Sequence, residues 1–222
     1  MSADAAPEGI RELRGPADRA PASRGRSNRE ALEDAAWEVF SEQPYADVRI
    51  AEVAARAGVS MGTFYSYFDS KESVFRIAAG RALDELYSYP RQDPDNPQRN
   101  PIRDLSYSIL NYFRVCLGNR IIARSIEQVW SQDDGVRRNR RGTLMRGAKR
   151  LERWIIDLQD KGICDPSVNP WLTALALQSM TVQLAYDQLV YREQPQDVDA
   201  LVEAVVPIWA KAVGLYRWLP KS

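Results

Sequence analysis

One short segment, Ser60-Met61-Gly62-Thr63-Phe64-Tyr65-Ser66-Tyr67-Phe68, concentrates the recognition chemistry of this sequence. If Met61 to Phe68 is helical, a step of 100° per residue sets Phe64 and Phe68 on one face. Gly62, Thr63 and Ser66 then point the opposite way, flanked by Tyr65 and Tyr67. A strip of small residues between two phenols is unusual on a surface helix. It permits close approach, and phenolic hydroxyls reach phosphate oxygens, so the chemistry on offer is groove recognition of nucleic acid.

Catalysis is poorly provided for. The chain has no histidine, which removes the usual general base, the usual partner of an activated nucleophile and the commonest zinc ligand. No nucleophile elbow, phosphate loop or metal-ligand spacing occurs. Cys116 and Cys164 lack a C-x-x-C spacing and read as reduced thiols, with Cys116 in an apolar helix. We therefore expect no enzyme, no metal and no cofactor.

The neighbours of the strip must hold it in place. Upstream, Ile50, Val53, Ala54 and Ala57 fall at i, i+3, i+4 and i+7, one apolar stripe at helical period. Gly58 suits the left-handed backbone that closes a helix, and Ser60 is placed to cap the next one. Ile50 to Lys71 thus reads as two short helices around a tight turn, a helix-turn-helix. A bracing helix is expected from about Asn28 to Glu42, with Leu32, Ala35, Ala36, Val39 and Phe40 inward. A further helix is expected to begin at Asp69 or Ser70, where Asp69 and Glu72 have capping-box-like spacing, and to run to about Tyr89. Asp47 is expected to cap the helix at Ile50, leaving Arg49 to reach a phosphate.

Val53-Ala54, Ala57-Gly58-Val59-Ser60, Gly62, Tyr65, Tyr67-Phe68 and Lys71 fit the pattern Ile-Ala-x-x-Ala-Gly-Val-Ser-x-Gly-x-x-Tyr-x-Tyr-Phe-x-x-Lys. Over Arg29 to Val74 the chain resembles the TetR/AcrR family of transcriptional regulators, departing from it at Arg49, where that family usually offers Thr or Ser. Outside this stretch the likeness is one of size and helical character. The resemblance implies an all-α protein of about nine helices, with an N-terminal three-helix DNA-binding domain and a larger ligand-binding and dimerisation domain. It implies a repressor that leaves a palindromic operator when a small molecule binds. DNA contacts are then expected from Arg49, Ser60, Met61, Gly62, Thr63, Tyr65, Ser66, Tyr67 and Lys71, the last on the DNA backbone.

Composition divides the chain into an arm over 1–27, the helix-turn-helix domain over 28–73 and the larger domain over 74–222. The arm is rich in Ala, Pro, Gly and Arg without apolar period and is expected to be disordered. Arg11, Arg14, Arg19, Arg24, Arg26 and Arg29 make its end cationic; it reads equally as a DNA-contacting arm or an inert tail. Residues 1–80 carry ten basic against thirteen acidic side chains, so the DNA-binding region is not broadly basic. No apolar run suits a signal peptide or a membrane span, and a cytoplasmic location is expected.

Four prolines make 90–101 a loop, and the remainder reads as helices near 102–117, 120–131, 136–161, 170–191 and 197–216, with stops at Gly118, Gly135 and Gly162. The last two helices are apolar over more than one stripe, and Pro207 should kink the final one. A twofold copy is expected to cover them, through Trp171, Leu175, Val182, Val202, Val206, Trp209 and Val213. Candidate pocket residues are Tyr107, Leu110, Asn111, Phe113, Arg114, Ile126, Trp130, Trp154, Leu158, Met180, Gln183, Leu184 and Asp187. Such walls suit a hydrophobic or aromatic effector, although aromatic stripes at helical spacing are also ordinary core. Arg137 to Arg153 holds eight basic residues and one acidic, Glu152; it reads as a solvated or internally paired face before a second nucleic-acid contact.

A second class of function fits the same pattern: a helical protein-interaction module that keeps the fold without binding DNA. The acidic balance favours it; Gly62, Tyr65, Tyr67 and Lys71 oppose it.

Overall fold

The computed structural model describes residues 27–88 and 91–219, so the arm, apart from Ser27, lies outside the described residues. Those residues form nine α-helices and no strand. The helices are α1 (Asn28–Glu42), α2 (Ile50–Arg56), α3 (Met61–Tyr67), α4 (Lys71–Glu85), α5 (Pro101–Gly118), α6 (Arg120–Trp130), α7 (Asp134–Asp160), α8 (Pro170–Ala185) and α9 (Val198–Ala212). A π turn, Tyr186–Val190, extends α8.

Local capping chemistry sets most of the boundaries. Ser27 and Glu30 close a capping box on α1, and Asn100 and Asn169 cap α5 and α8, each followed by a proline that needs no helical donor. Gly58 and Gly162, at φ 70° and 63°, take the left-handed conformation just past α2 and α7.

Four expectations need correction. The cap of α4 is Ser70, boxed with Ser73, because Asp69 and Glu72 sit one residue out of register with the extended backbone at Ser70. That helix ends at Glu85, short of Tyr89. Arg49 occupies the N-cap position of α2 with no side-chain cap, so Asp47 does not take that role. Gly135 lies inside the first turn of α7, started by Asp133. A Cβ at Gly135 would come 2.9 Å from Arg76 Cδ and 3.0 Å from Asp133 Oδ1, so this glycine allows close approach and stops nothing.

The two domains share one continuous core. Phe40, Tyr45 and Phe75 form a ring cluster with centroids 4.8 to 5.9 Å apart, joining α1, the following loop and α4. α4 also packs on α6 and α7, and the Tyr45 amide donates to Ser125 Oγ of α6 at 3.0 Å. The basic run of α7 is largely engaged within the molecule. Arg140 pairs with Glu127 at 2.6 Å beneath Trp130, Arg146 reaches Asp84 of α4, and Arg150 donates to the Tyr87 carbonyl. No helix among the described residues is long and apolar enough to cross a membrane.

Candidate nucleic-acid interface and ligand cavity

α3 is held from behind by Phe64 and Phe68, both buried, with ring centroids 5.7 Å apart. Ser60 caps it by accepting from the Thr63 amide at 3.1 Å. With its inner face fixed, the helix turns Met61, Gly62, Tyr65, Ser66 and Tyr67 outward; Tyr65 is 52% and Tyr67 41% exposed. Arg49 is exposed as well. The expected strip therefore exists as one surface.

Hydrogen bonding refines what that surface can do. Thr63 Oγ1 lies 3.0 Å from Ser60 Oγ, and Ser66 Oγ donates to the Thr63 carbonyl at 2.6 Å. Both hydroxyls are occupied locally, which leaves the Thr63 methyl, Met61 and the two phenols as the outward groups. Lys71 is drawn away from the strip: Nζ sits 4.5 Å from the centre of the Tyr45 ring and donates to the Ala46 carbonyl at 3.3 Å. Burial pushes its pKa down. Tyr45 in turn donates to Glu72 at 2.9 Å, and burial with that carboxylate raises the phenol pKa. Lys71 thus braces the α1–α2 loop against α4.

In the larger domain a cavity of about 250 Å³ opens between α5, α7, α8 and α9. Leu105, Ile109, Tyr112, Trp154 and Trp209 give it apolar walls. Its polar groups are fixed by neighbours: the Trp209 indole donates to Thr181 Oγ1 at 3.0 Å, and the Gln178 amide donates to Tyr87 Oη at 3.2 Å. Gly147 allows this packing, since a Cβ there would lie 2.8 Å from Tyr87 Cε1 and 2.9 Å from Gln178 Nε2.

A family model described as bacterial regulatory proteins, tetR family, matches residues 32–77. Over 188 residues the chain is 24% identical to the HTH-type transcriptional regulator EthR of Mycobacterium tuberculosis, covering 79% of this chain and 82% of EthR. It is 25% identical over 103 residues to an HTH-type transcriptional regulator of Staphylococcus aureus, 46% of this chain and 55% of that protein, so the match spans about half the length of that relative. The fold is shared with SmeT, described as the repressor of the Stenotrophomonas maltophilia multidrug efflux pump SmeDEF. The TM-score is 0.60 at 20% identity, over 85% of this chain and 91% of SmeT. Residues 32–77 thus match the TetR family of regulatory proteins, and the chain as a whole shares the fold of solved TetR-family regulators.

Within this fold, the sequence reading of the cavity needs correction. Of the predicted pocket residues only Trp154 lines the space. Tyr107, Leu110, Asn111 and Arg114 lie two positions from Leu105, Ser108, Ile109 and Tyr112, and two residues are about 200° of helical rotation, so they fall on the other side of α5. Phe113, Ile126 and Leu158 are core, Met180 and Leu184 are half-buried, Trp130 stacks on Arg140, and Gln183 bonds Asp187 on the surface. The apolar spacing of Leu105, Ile109, Tyr112 and Cys116 was the available signal for the inner face.

The dimer residues divide as well. Val182, Val206, Trp209 and Val213 are buried within the subunit, whereas Trp171, Leu175 and Val202 are half-buried. Outward on α8 and α9 stand Leu172, 60% exposed, and Ile208, 50% exposed, with Ala176 and Ala204. Sequence reasoning also missed Arg91, Tyr87 and Arg150; Arg91 lies four residues from Tyr87, and Arg150 joins them only through the fold.

Proposed function

We propose that the protein is a homodimeric repressor that binds a palindromic operator and is released by a small molecule. The observation that carries this is the outward face of α3, where Gly62 lies between Met61 and two exposed phenols on a helix anchored by Phe64 and Phe68. In a twofold dimer the two α3 helices would stand about 34–36 Å apart, one turn of DNA, and enter successive major grooves. Tyr65 and Tyr67 would contact phosphates, while Thr63 and Met61 would meet thymine methyls and Arg49 would add to the readout. With no Arg, Lys, Asn or Gln on α3, DNA shape contributes to sequence choice.

The cavity supports the effector half of the reading. Its walls come from the same α7 that packs on α4, and α4 carries the DNA-binding helices at its other end. A ligand that binds more tightly when α4 is tilted would shift the dimer out of operator spacing, by as much as that difference in affinity allows. The dimer surface is the outward side of α8 and α9 around Leu172 and Ile208. Selection from random duplexes with the full-length protein tests the reading. A palindrome with half-sites one turn apart is the expected product; failure to enrich any palindrome would favour the interaction module.

A further inference from the structure

The polar side of the cavity is unequal in charge. Three charged residues line it: Arg91, Arg150 and Asp104. Asp104 is occupied, accepting the Asp93 amide at 2.9 Å. The two guanidinium groups converge on one oxygen, since Arg91 Nη2 and Arg150 Nη1 each donate to the Tyr87 carbonyl at 3.0 Å. Among the described residues, Arg150 forms no ion pair with a carboxylate. The two guanidinium groups aimed at one carbonyl set N–H donors side by side in a half-buried setting, and an anion placed there would accept from both. The remaining walls, Leu105, Ile109, Trp154 and Trp209, are apolar and aromatic.

We infer that the cavity binds a carboxylate with an aromatic or acyl body, the carboxylate held by Arg150 and Arg91 and the body lying against Trp154, Trp209 and Ile109. This rests on reading the cavity as the effector site. The volume of about 250 Å³ lies just below the usual range for small-molecule sites, so the body is small. A bound carboxylate competes with the Tyr87 carbonyl for both arginines. Tyr87 lies two residues past the end of α4, so loading the cavity loosens the tie between that end of α4 and α7.

The test uses the full-length protein with 3-phenylpropionate and octanoate, each beside its uncharged amide, read by tryptophan fluorescence and thermal shift. The carboxylates are expected to bind about tenfold tighter than the amides, the worth of one charge-assisted hydrogen bond. Arg150→Gln should erase that preference while amide binding persists, and Arg91→Gln serves where Arg150→Gln does not fold. Amides that bind as tightly as the carboxylates, or a preference that survives both variants, overturn the charge assignment. In that event, loss of all binding in Ile109→Trp, which fills the cavity, leaves the effector reading standing. If no compound binds, or binding survives Ile109→Trp, both readings fall.

Discussion

Asp133 caps α7 and at the same time holds Arg76 of α4. Its Oδ1 accepts from the Val136 amide at 2.9 Å, and its two oxygens take the Arg76 guanidinium at 2.8 to 3.1 Å. The arginine, followed by the helix amides, holds the Asp133 carboxyl below the ordinary carboxylate value. One carboxylate thus ties the helix that carries the DNA-binding domain to the longest helix of the cavity.

Asp133→Ala should destabilise the protein by about 1–2 kcal/mol, roughly one from the lost cap and the rest from an ion pair whose arginine is half exposed. The midpoint of thermal unfolding should drop by about 3–6 °C. Arg76→Gln keeps the cap and should lose less. Because the folded pKa is depressed, this contribution is present above the unfolded carboxylate pKa and disappears as pH falls through the folded one. Equal losses in the two variants would remove the cap's share.

Tyr65→Phe deletes one exposed hydroxyl that makes no hydrogen bond among the described residues and leaves the ring on Phe64, 5.4 Å between centroids. Operator affinity should fall by about threefold to tenfold, with unchanged preference among operator variants. Anisotropy titration at fixed salt measures it. Unaltered affinity would refute the phosphate contact.

Gly62 separates folding from recognition. A Cβ there meets only Ser60 Oγ, at 3.8 Å, so Gly62→Ala is free of clash and should raise stability by up to about 1 kcal/mol. The same methyl points where DNA must approach, so operator binding should weaken. A variant that gains stability and binds as before would move the groove contact off α3.

Leu172→Glu with Ile208→Glu should turn the dimer into monomers by light scattering while leaving the helical circular dichroism intact, since both residues point outward. Operator binding should fall with the dimer. Dimers that persist would place the interface elsewhere.

Burial pushes the Cys116 thiol up to about 12 and raises Cys164, Tyr112 and Tyr186. Neither thiol should react with Ellman's reagent at pH 8 until the chain unfolds, when both should react. The folded chain keeps protons that the unfolded chain releases, so stability should decline as pH rises from about 9 towards 12. A flat stability profile across that range, followed by denaturant titration, would contradict it.

Periodicity and caps were legible wherever a short stretch of chain settles its own conformation. Leu32 to Phe40, Gly58 and Ser60 needed no distant partner to be read, and the inner and outer faces of α3 came out as the two phenylalanines require. Where two candidate capping residues stood side by side, as at Asp69 and Ser70, backbone conformation chose between them. The cavity was less legible because α5, α8 and α9 are apolar over wide arcs, and hydrophobicity alone does not say which arc meets a neighbour. A displacement of two residues placed Tyr107 and Asn111 behind the wall that Leu105 and Ile109 form. Trp209 and Val213 were drawn inward in the same way, and Leu172 and Ile208 left outside. Gly135 and Gly147 look like breakers in the chain, yet both mark close approach between helices, a requirement set by side chains from distant segments. Local propensity therefore specified the helix-turn-helix and its reading face. Packing of one helix on another decided the cavity, its paired arginines and which apolar residues of α8 and α9 stay outward, because burial depends on neighbours remote in sequence.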